Sequence, residues 1–240
     1  RVPSLYERFG TFYSSFFGGF VALGDPNLKP EKTIAFDGGV EQNLFANRAK
    51  LTAVYFYTKL IDTIGYNTLP QPDPFGRNNN LSGGGYLNTK GGIARGAELS
   101  GRIRATDSTD VFASYTFTNS DQRSPQVSGS RIIETLGIPV HQFTLVATQR
   151  FKRAWVNFDF LATSDYLAPI FSNTTFRTYV YRFDGNRRAD LTAGYTFPLD
   201  GERMNLRVFG TIENLLGDEY YENGFRTFGR NARVGVSFGF

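Results

Sequence analysis

The interruptions between the alternating segments of this chain are by turns short and long, without a lapse. Short breaks fall at Phe45-Ala46-Asn47-Arg48, Thr106-Asp107-Ser108, Lys152-Arg153 and Pro198 to Glu202. Long polar stretches rich in Gly, Asn, Pro and Tyr fall between them, at roughly Asp62 to Thr89, Asn119 to Ile138, Ser164 to Asn186 and Asn214 to Gly229. A globular sandwich has no reason to place every long connection at one end, and long structureless loops are uncommon in compact domains. A membrane barrel with tight turns on one side and long loops on the other has both properties.

The segments themselves alternate with period 2. In the last, Ala232, Val234, Val236, Phe238 and Phe240 share one face, opposite Arg233, Gly235, Ser237 and Gly239. Ala189, Leu191, Ala193, Tyr195 and Phe197 oppose Asp190, Thr192, Gly194 and Thr196, and Val111, Ala113, Tyr115 and Phe117 oppose Asp110, Ser114 and Thr116. Ala49 to Ile61 and Gly92 to Arg104 exceed the usual globular strand of ~5–6 residues and match a tilted span. Glu41, Glu98, Arg102, Arg104, Asp110, Asp159, Asp190, Arg207 and Arg233 all fall on polar faces, as a lipid-bathed wall demands. Composition agrees: aromatics reach 16%, with 24 Phe and 13 Tyr, and glycine numbers 26, a usage that suits strands and turns. Counting a first strand that ends near Phe9, about ten strands in five hairpins are predicted.

Other classes recede. No apolar run approaches the ~18–20 residues of a membrane-spanning helix. The net charge of +4 is scattered, with no basic cluster of the kind that binds nucleic acid. Cysteine is absent, and the one histidine, His141, has no second imidazole with which to build a metal site. No Ser/His/Asp arrangement, phosphate loop or catalytic carboxylate pair is present, so no catalysis and no cofactor are expected. Arg1-Val2-Pro3-Ser4 has no signal-peptide character, so the chain reads as processed or as starting within a longer protein.

Pro3-Ser4-Leu5-Tyr6-Glu7-Arg8-Phe9-Gly10, Gly24-Asp25-Pro26-Asn27-Leu28-Lys29-Pro30-Glu31-Lys32-Thr33 and Ile212-Glu213-Asn214-Leu215-Leu216-Gly217-Asp218-Glu219-Tyr220-Tyr221 resemble, in order and spacing, segments of the TonB-dependent receptors, the energised outer-membrane importers. Leu51 to Ile64 and Gly91 to Leu99 look like that family's intervening strand pair. Leu216 and Phe228 depart from it, where the family usually has Phe and Pro. The prolines have a plain physical role as well, since Pro26 and Pro30 remove backbone donors just before pairing begins. Arg233-x-Gly235-x-x-Phe238-x-Phe240 resembles the terminal signal read by the barrel assembly machinery.

The resemblance implies an all-β transmembrane antiparallel β-barrel, of which residues 1–240 form the carboxy-terminal part. The whole is a barrel of about 22 strands closed around an amino-terminal plug with a TonB-contacting box. It implies residence in the Gram-negative outer membrane among lipid and lipopolysaccharide, and TonB-driven uptake of a scarce small molecule. A ferric siderophore is the commonest cargo, with haem, cobalamin and oligosaccharides behind. A passive outer-membrane channel or surface-binding barrel is the alternative. Ligand contacts are expected on the long loops, where aromatic and cationic side chains can grip a planar anionic chelate. The richest stretch is Phe171 to Arg188, with Phe176, Arg177, Tyr179, Tyr181, Arg182 and Arg187. Next come Tyr220, Tyr221, Phe225 and Arg226, then Tyr66, Arg77 and Tyr86. Interfacial aromatic belts and lipopolysaccharide phosphates compete for the same residue types.

Overall fold

The computed structural model describes the chain except residues 16–17, 68–83, 124–131, 176 and 223. It begins with a short helix where a strand was expected. Ser4 Oγ accepts from the Glu7 backbone N–H at 3.1 Å, and the Glu7 carboxylate accepts from the Ser4 N–H at 2.7 Å. This reciprocal capping box closes α1, Leu5–Phe9. A hairpin of β1, Thr11–Ser14, and β2, Gly19–Ala22, follows.

The sheet proper contains β3 (Lys32–Leu44), β4 (Ala49–Asn67), β6 (Ile93–Thr106), β7 (Thr109–Arg123), β9 (His141–Phe151), β10 (Ala154–Thr163), β13 (Arg187–Leu199), β14 (Met204–Glu213) and β17 (Asn231–Gly239). These nine lie side by side in chain order and pair antiparallel throughout; β5 (Gly85–Lys90) adds to β4 and β8 (Ile132–Glu134) to β7, giving eleven strands in one sheet. Since β3 and β17 do not pair with each other, the sheet is an open part of a barrel. The expected strand count falls by one because the segment ending at Phe9 is helical.

Short turns join β3 to β4, β6 to β7, β9 to β10 and β13 to β14. The first is left-handed at Phe45, Ala46 and Asn47, which have φ of 54°, 52° and 66°. The opposite connections carry further structure: β11 (Tyr166–Ser172) pairs with β12 (Arg177–Phe183), and β15 (Tyr221–Glu222) with β16 (Phe225–Arg226). Two expected loops are in part strand, because β4 runs on to Asn67 and β7 to Arg123. The Thr63–Thr89 and Tyr66–Tyr86 pairs continue the ladder above the point where hydrophobic alternation fades.

Register carries the two faces across every seam. Val40, Ala53, Leu99, Tyr115 and Phe143 form one row on five neighbouring strands. Phe158, Leu191, Ile212 and Ala232 form another. The rows one residue over are polar: Glu41, Thr52, Ser100, Ser114 and Thr144 in the first case, Asn157, Thr192, Thr211 and Arg233 in the second. No large side chain is fully buried among the described residues, while Val40 is 72% and Val234 79% exposed. An apolar face of this extent is stable only against an apolar medium.

Charges on the polar face pair with one another. Asp110 accepts from Arg150 at 2.7 Å and has Arg102 and Arg104 at 3.7 Å. Lys50 meets Glu41 at 2.7 Å, and Glu213 bonds Arg233 and lies 3.8 Å from Arg188. Glycines on this face make room for rings opposite them. A Cβ on Gly235 would lie 2.3 Å from Phe209, and one on Gly194 2.7 Å from Trp155, whose ring Arg207 overlies at 4.6 Å.

Candidate ligand-binding surface

All the expected contact residues that the structure describes lie at the end of the sheet where the long connections are, in two groups. The first is a tyrosine cluster. The β4–β5 ladder pairs Tyr66 with Tyr86, whose rings meet edge-to-face at 5.2 Å. Tyr6 of α1 joins them, 6.1 Å from Tyr86. The amino-terminal segment is held there by the Tyr86 N–H bonded to the Leu23 carbonyl at 2.8 Å and by Lys29 and Asn88 bonding each other. Arg1 clasps it from outside, donating to Glu7 and Glu31, while Glu31 also accepts from the Ile64 N–H at 3.1 Å. Those bonds from Arg1 hold both carboxyls below the ordinary glutamate range. Burial pushes the Tyr66 and Tyr86 hydroxyls upward, so at neutral pH these rings present uncharged phenols.

The second group forms where the two outer hairpins meet. The Tyr166 hydroxyl donates to the Tyr221 carbonyl at 2.8 Å, and the Phe183 and Tyr221 rings are 6.4 Å apart. Gly224 is required by the approach, since it has φ of +86° and a Cβ there would lie 2.7 Å from Ile170. Between the hairpins is a hollow of about 490 Å³ that includes Tyr181, Arg182, Phe183, Glu219, Tyr220 and Tyr221. A neighbouring hollow of about 510 Å³ includes Arg188, Glu213, Tyr220, Phe225, Arg226 and Asn231. Tyr220, only 6% exposed, lines both. Tyr179 stands beside Tyr181 with ring centroids 6.5 Å apart.

The cations in this group are matched by carboxylates. Arg182 binds Asp165 at 2.6 Å and Glu134 at 3.3 Å, and Arg226 binds Glu219. At Arg187 it is the backbone N–H, not the guanidinium, that donates to Asp218, at 2.9 Å. The surface is therefore chiefly aromatic, with the guanidinium groups of Arg182 and Arg226 fixed in place by neighbours. Arg77 and Phe176 lie outside the described residues, as does the side chain of Arg177. His141 sits apart, its Nδ1 2.8 Å from the Tyr115 hydroxyl.

Sequence reading missed Tyr6, Tyr166 and Phe183, whose contacts depend on long-range pairing. It also missed the β1–β2 hairpin, where Tyr13 and Phe20 pack edge-to-face at 5.5 Å and are 66% and 79% exposed. A signal was available: no charged residue occurs from Gly10 to Gly24.

Residues 1–215 match the family described as TonB dependent receptor-like, beta-barrel. This chain belongs to that family. Heme/hemopexin utilization protein C of Haemophilus influenzae (strain 86-028NP) is 26% identical over 260 residues, covering 100% of this chain and 34% of its own length. This chain thus spans about a third of that relative. Among solved structures, the pyoverdine receptor FpvA of Pseudomonas aeruginosa superposes with a TM-score of 0.66 at 17% identity, over 87% of this chain and 27% of the receptor. The copper transporter OprC superposes with a TM-score of 0.65 at 17% identity, over 100% of this chain and 35% of the transporter. These structural likenesses show the fold, a partial antiparallel barrel wall.

Proposed function

We propose that this TonB-dependent receptor takes up an iron-bearing small molecule across the Gram-negative outer membrane, and that it transports its cargo without chemical change. Residues 1–240 supply the carboxy-terminal portion of a barrel of about 22 strands, while a plug and earlier strands complete it. Energy arrives from the TonB complex through the plug. Outer-membrane lipid and lipopolysaccharide surround the wall, and the terminal strand addresses the assembly machinery. The observation that carries this reading is the meeting of the two outer hairpins, which builds an aromatic hollow on a wall whose outward face is apolar across its middle rows.

Tyr179, Tyr181, Arg182, Tyr220, Tyr221, Phe225 and Arg226 are the contacts proposed for the cargo, with Tyr66 and Tyr86 in a flanking cluster. A ferric siderophore is the first reading. Haem is the second, favoured by the end-to-end match to a haem/hemopexin utilization protein. Haem offers a planar conjugated face with carboxylates at its edge, and a ferric siderophore an octahedral chelate with polar or anionic donor groups; aromatic faces and guanidinium groups suit either. The test is growth under iron starvation of strains with and without the protein, on defined siderophores and on haem, in the presence and absence of TonB. A difference that requires TonB is expected for one iron source. Equal growth on every source removes the reading, and ion conductance through the isolated full-length protein would favour the passive channel.

A further inference from the structure

The charge of the two outer hairpins runs against that of the rest of the molecule. The chain as a whole carries a net charge of +4. Residues 164–186 and 214–229, which contain the hairpins, set Arg177, Arg182 and Arg226 against Asp165, Asp184, Asp218, Glu219 and Glu222. Glu134, at the end of β8, adds a further carboxylate by reaching Arg182 at 3.3 Å.

The guanidinium groups that the hollow between the hairpins could offer to an anion are already neutralised. Arg182 bonds Asp165 as well as Glu134, and Arg226 bonds Glu219, which is itself on the lining. Their remaining N–H groups can serve neutral oxygens, but an anion entering the hollow meets a surplus of negative charge.

Asp184 is also on the lining, and it differs from the other carboxylates there. It is exposed, and among the described residues it has no hydrogen-bond or ion-pair partner. Its backbone is held from both sides. Phe183 pairs with Tyr166 at the base of the β11–β12 ladder, and their rings stack with centroids 5.8 Å apart. Gly185 lies so close to β10 that a Cβ there would be 1.9 Å from the Thr163 carbonyl oxygen, and the Asn186 N–H donates to the Thr163 hydroxyl at 3.1 Å. The carboxylate therefore stands on a fixed base at the edge of a hollow walled by Tyr181, Phe183, Tyr220 and Tyr221. Ring faces carry partial negative charge and attract a cation within ~6 Å of their centroids. An unpaired carboxylate beside them strengthens that attraction, so the combination seats an ammonium and repels a carboxylate or a phosphate.

We propose that this hollow selects a cargo with a positive group: an iron chelate whose organic frame carries a protonated amine, the ammonium lying between Asp184 and the rings of Phe183 and Tyr221. Asp184 is then the residue that determines the charge preference. The selectivity rests on the iron-cargo reading given above. Within that reading it favours an amine-bearing siderophore over haem, whose edge carboxylates would face Asp184 and Glu219.

The test uses the full-length protein in detergent and matched pairs of probes in which a primary amine is either free or acetylated: a ferric trishydroxamate with a terminal amine, a ferric triscatecholate with an aminoalkyl arm, and the haem monoamide of ethylenediamine. Affinities are read by quenching of intrinsic fluorescence. In any pair that binds, the free amine should bind about tenfold or more tightly than its acetylated twin. D184N should shrink that ratio to about twofold or less, and D184E should restore most of it. Raising the salt from about 0.05 M to about 0.5 M should narrow the ratio for the unaltered protein, as a charge effect requires and a purely steric one does not. Heat-modifiable mobility checks that each variant is folded. Equal binding of free and acetylated probes by the unaltered protein overturns the charge preference alone, as does a preference that survives D184N. Failure to bind any of the probes sinks the iron-cargo reading and the preference with it.

Discussion

Leu99 and Ser100 are consecutive residues near the middle of β6 that face opposite ways, and they provide the sharpest test of which side meets lipid. Leu99 is in the outward row with Ala53 and Tyr115, and is 49% exposed. Ser100 is in the inward row with Thr52 and Ser114, two residues from both Glu98 and Arg102. Arginine on the lipid side at the bilayer midplane costs about 2–4 kcal/mol, and loss of the leucine adds roughly 0.5 kcal/mol. At ~1.4 kcal/mol per decade, Leu99→Arg should shift the folding equilibrium by about 2–3 powers of ten. Ser100→Arg enters a polar environment with a carboxylate beside it, and should stay within about 0.5 kcal/mol of the unaltered protein. The measurement is reversible denaturant unfolding of the full-length protein in lipid vesicles, read by heat-modifiable gel mobility. Equal destabilisation by the two variants, or a larger loss from Ser100→Arg, would refute the assignment of faces.

Gly235→Val places carbon where the Phe209 ring already lies, within 2.3 Å of a Cβ, and should cost about 1–3 kcal/mol in the same assay. The companion change Phe209→Ala should recover part of that loss. Arg207→Ala uncovers Trp155, whose ring Arg207 overlies at 4.6 Å, and should cost about 0.5–1 kcal/mol with a measurable change in tryptophan emission. Because Arg1 holds the Glu7 and Glu31 carboxyls below their ordinary values, the clasp is fully present above pH ~4.5 and is lost as pH falls through the lowered values. Protection from hydrogen exchange in residues 5–15 and 18–22, corrected for the intrinsic pH dependence of amide exchange, should be high at neutral pH and fall at pH ~3, more so than in β6. Protection that does not change with pH would show that the clasp does not hold the segment.

The face of nearly every spanning strand was legible because period 2 persists as long as one side must be apolar. It stopped being legible where that demand stops. The segment from Asp62 to Asn67 leaves the apolar wall, so its alternation carries no hydrophobic signal, yet the ladder continues to Tyr66 and Tyr86. Leu5–Phe9 reads as a strand exit until Ser4 and Glu7 are seen to cap each other across three residues. The outer aromatics were predictable as residue types in loops. Their grouping was not, since Tyr166 meets Tyr221 across 55 residues of chain and Arg182 meets Glu134 across 48. The Gly235 of the terminal motif acquired a reason only from register, which puts Phe209 opposite it.

The two edges of the sheet have an energetic meaning of their own. Along Asn231–Gly239, one side of the backbone bonds to β14 and the other has no strand beside it among the described residues, and the same holds for β3 on the side away from β4. In water such groups are solvated, but in hydrocarbon each bare N–H or C=O costs several kcal/mol. With roughly one outward group per residue, each edge would sit tens of kcal/mol above its paired state. The apolar side chains therefore cannot by themselves carry this wall into a bilayer; they do so only when strands lie against both β3 and β17, so insertion and closure are one event.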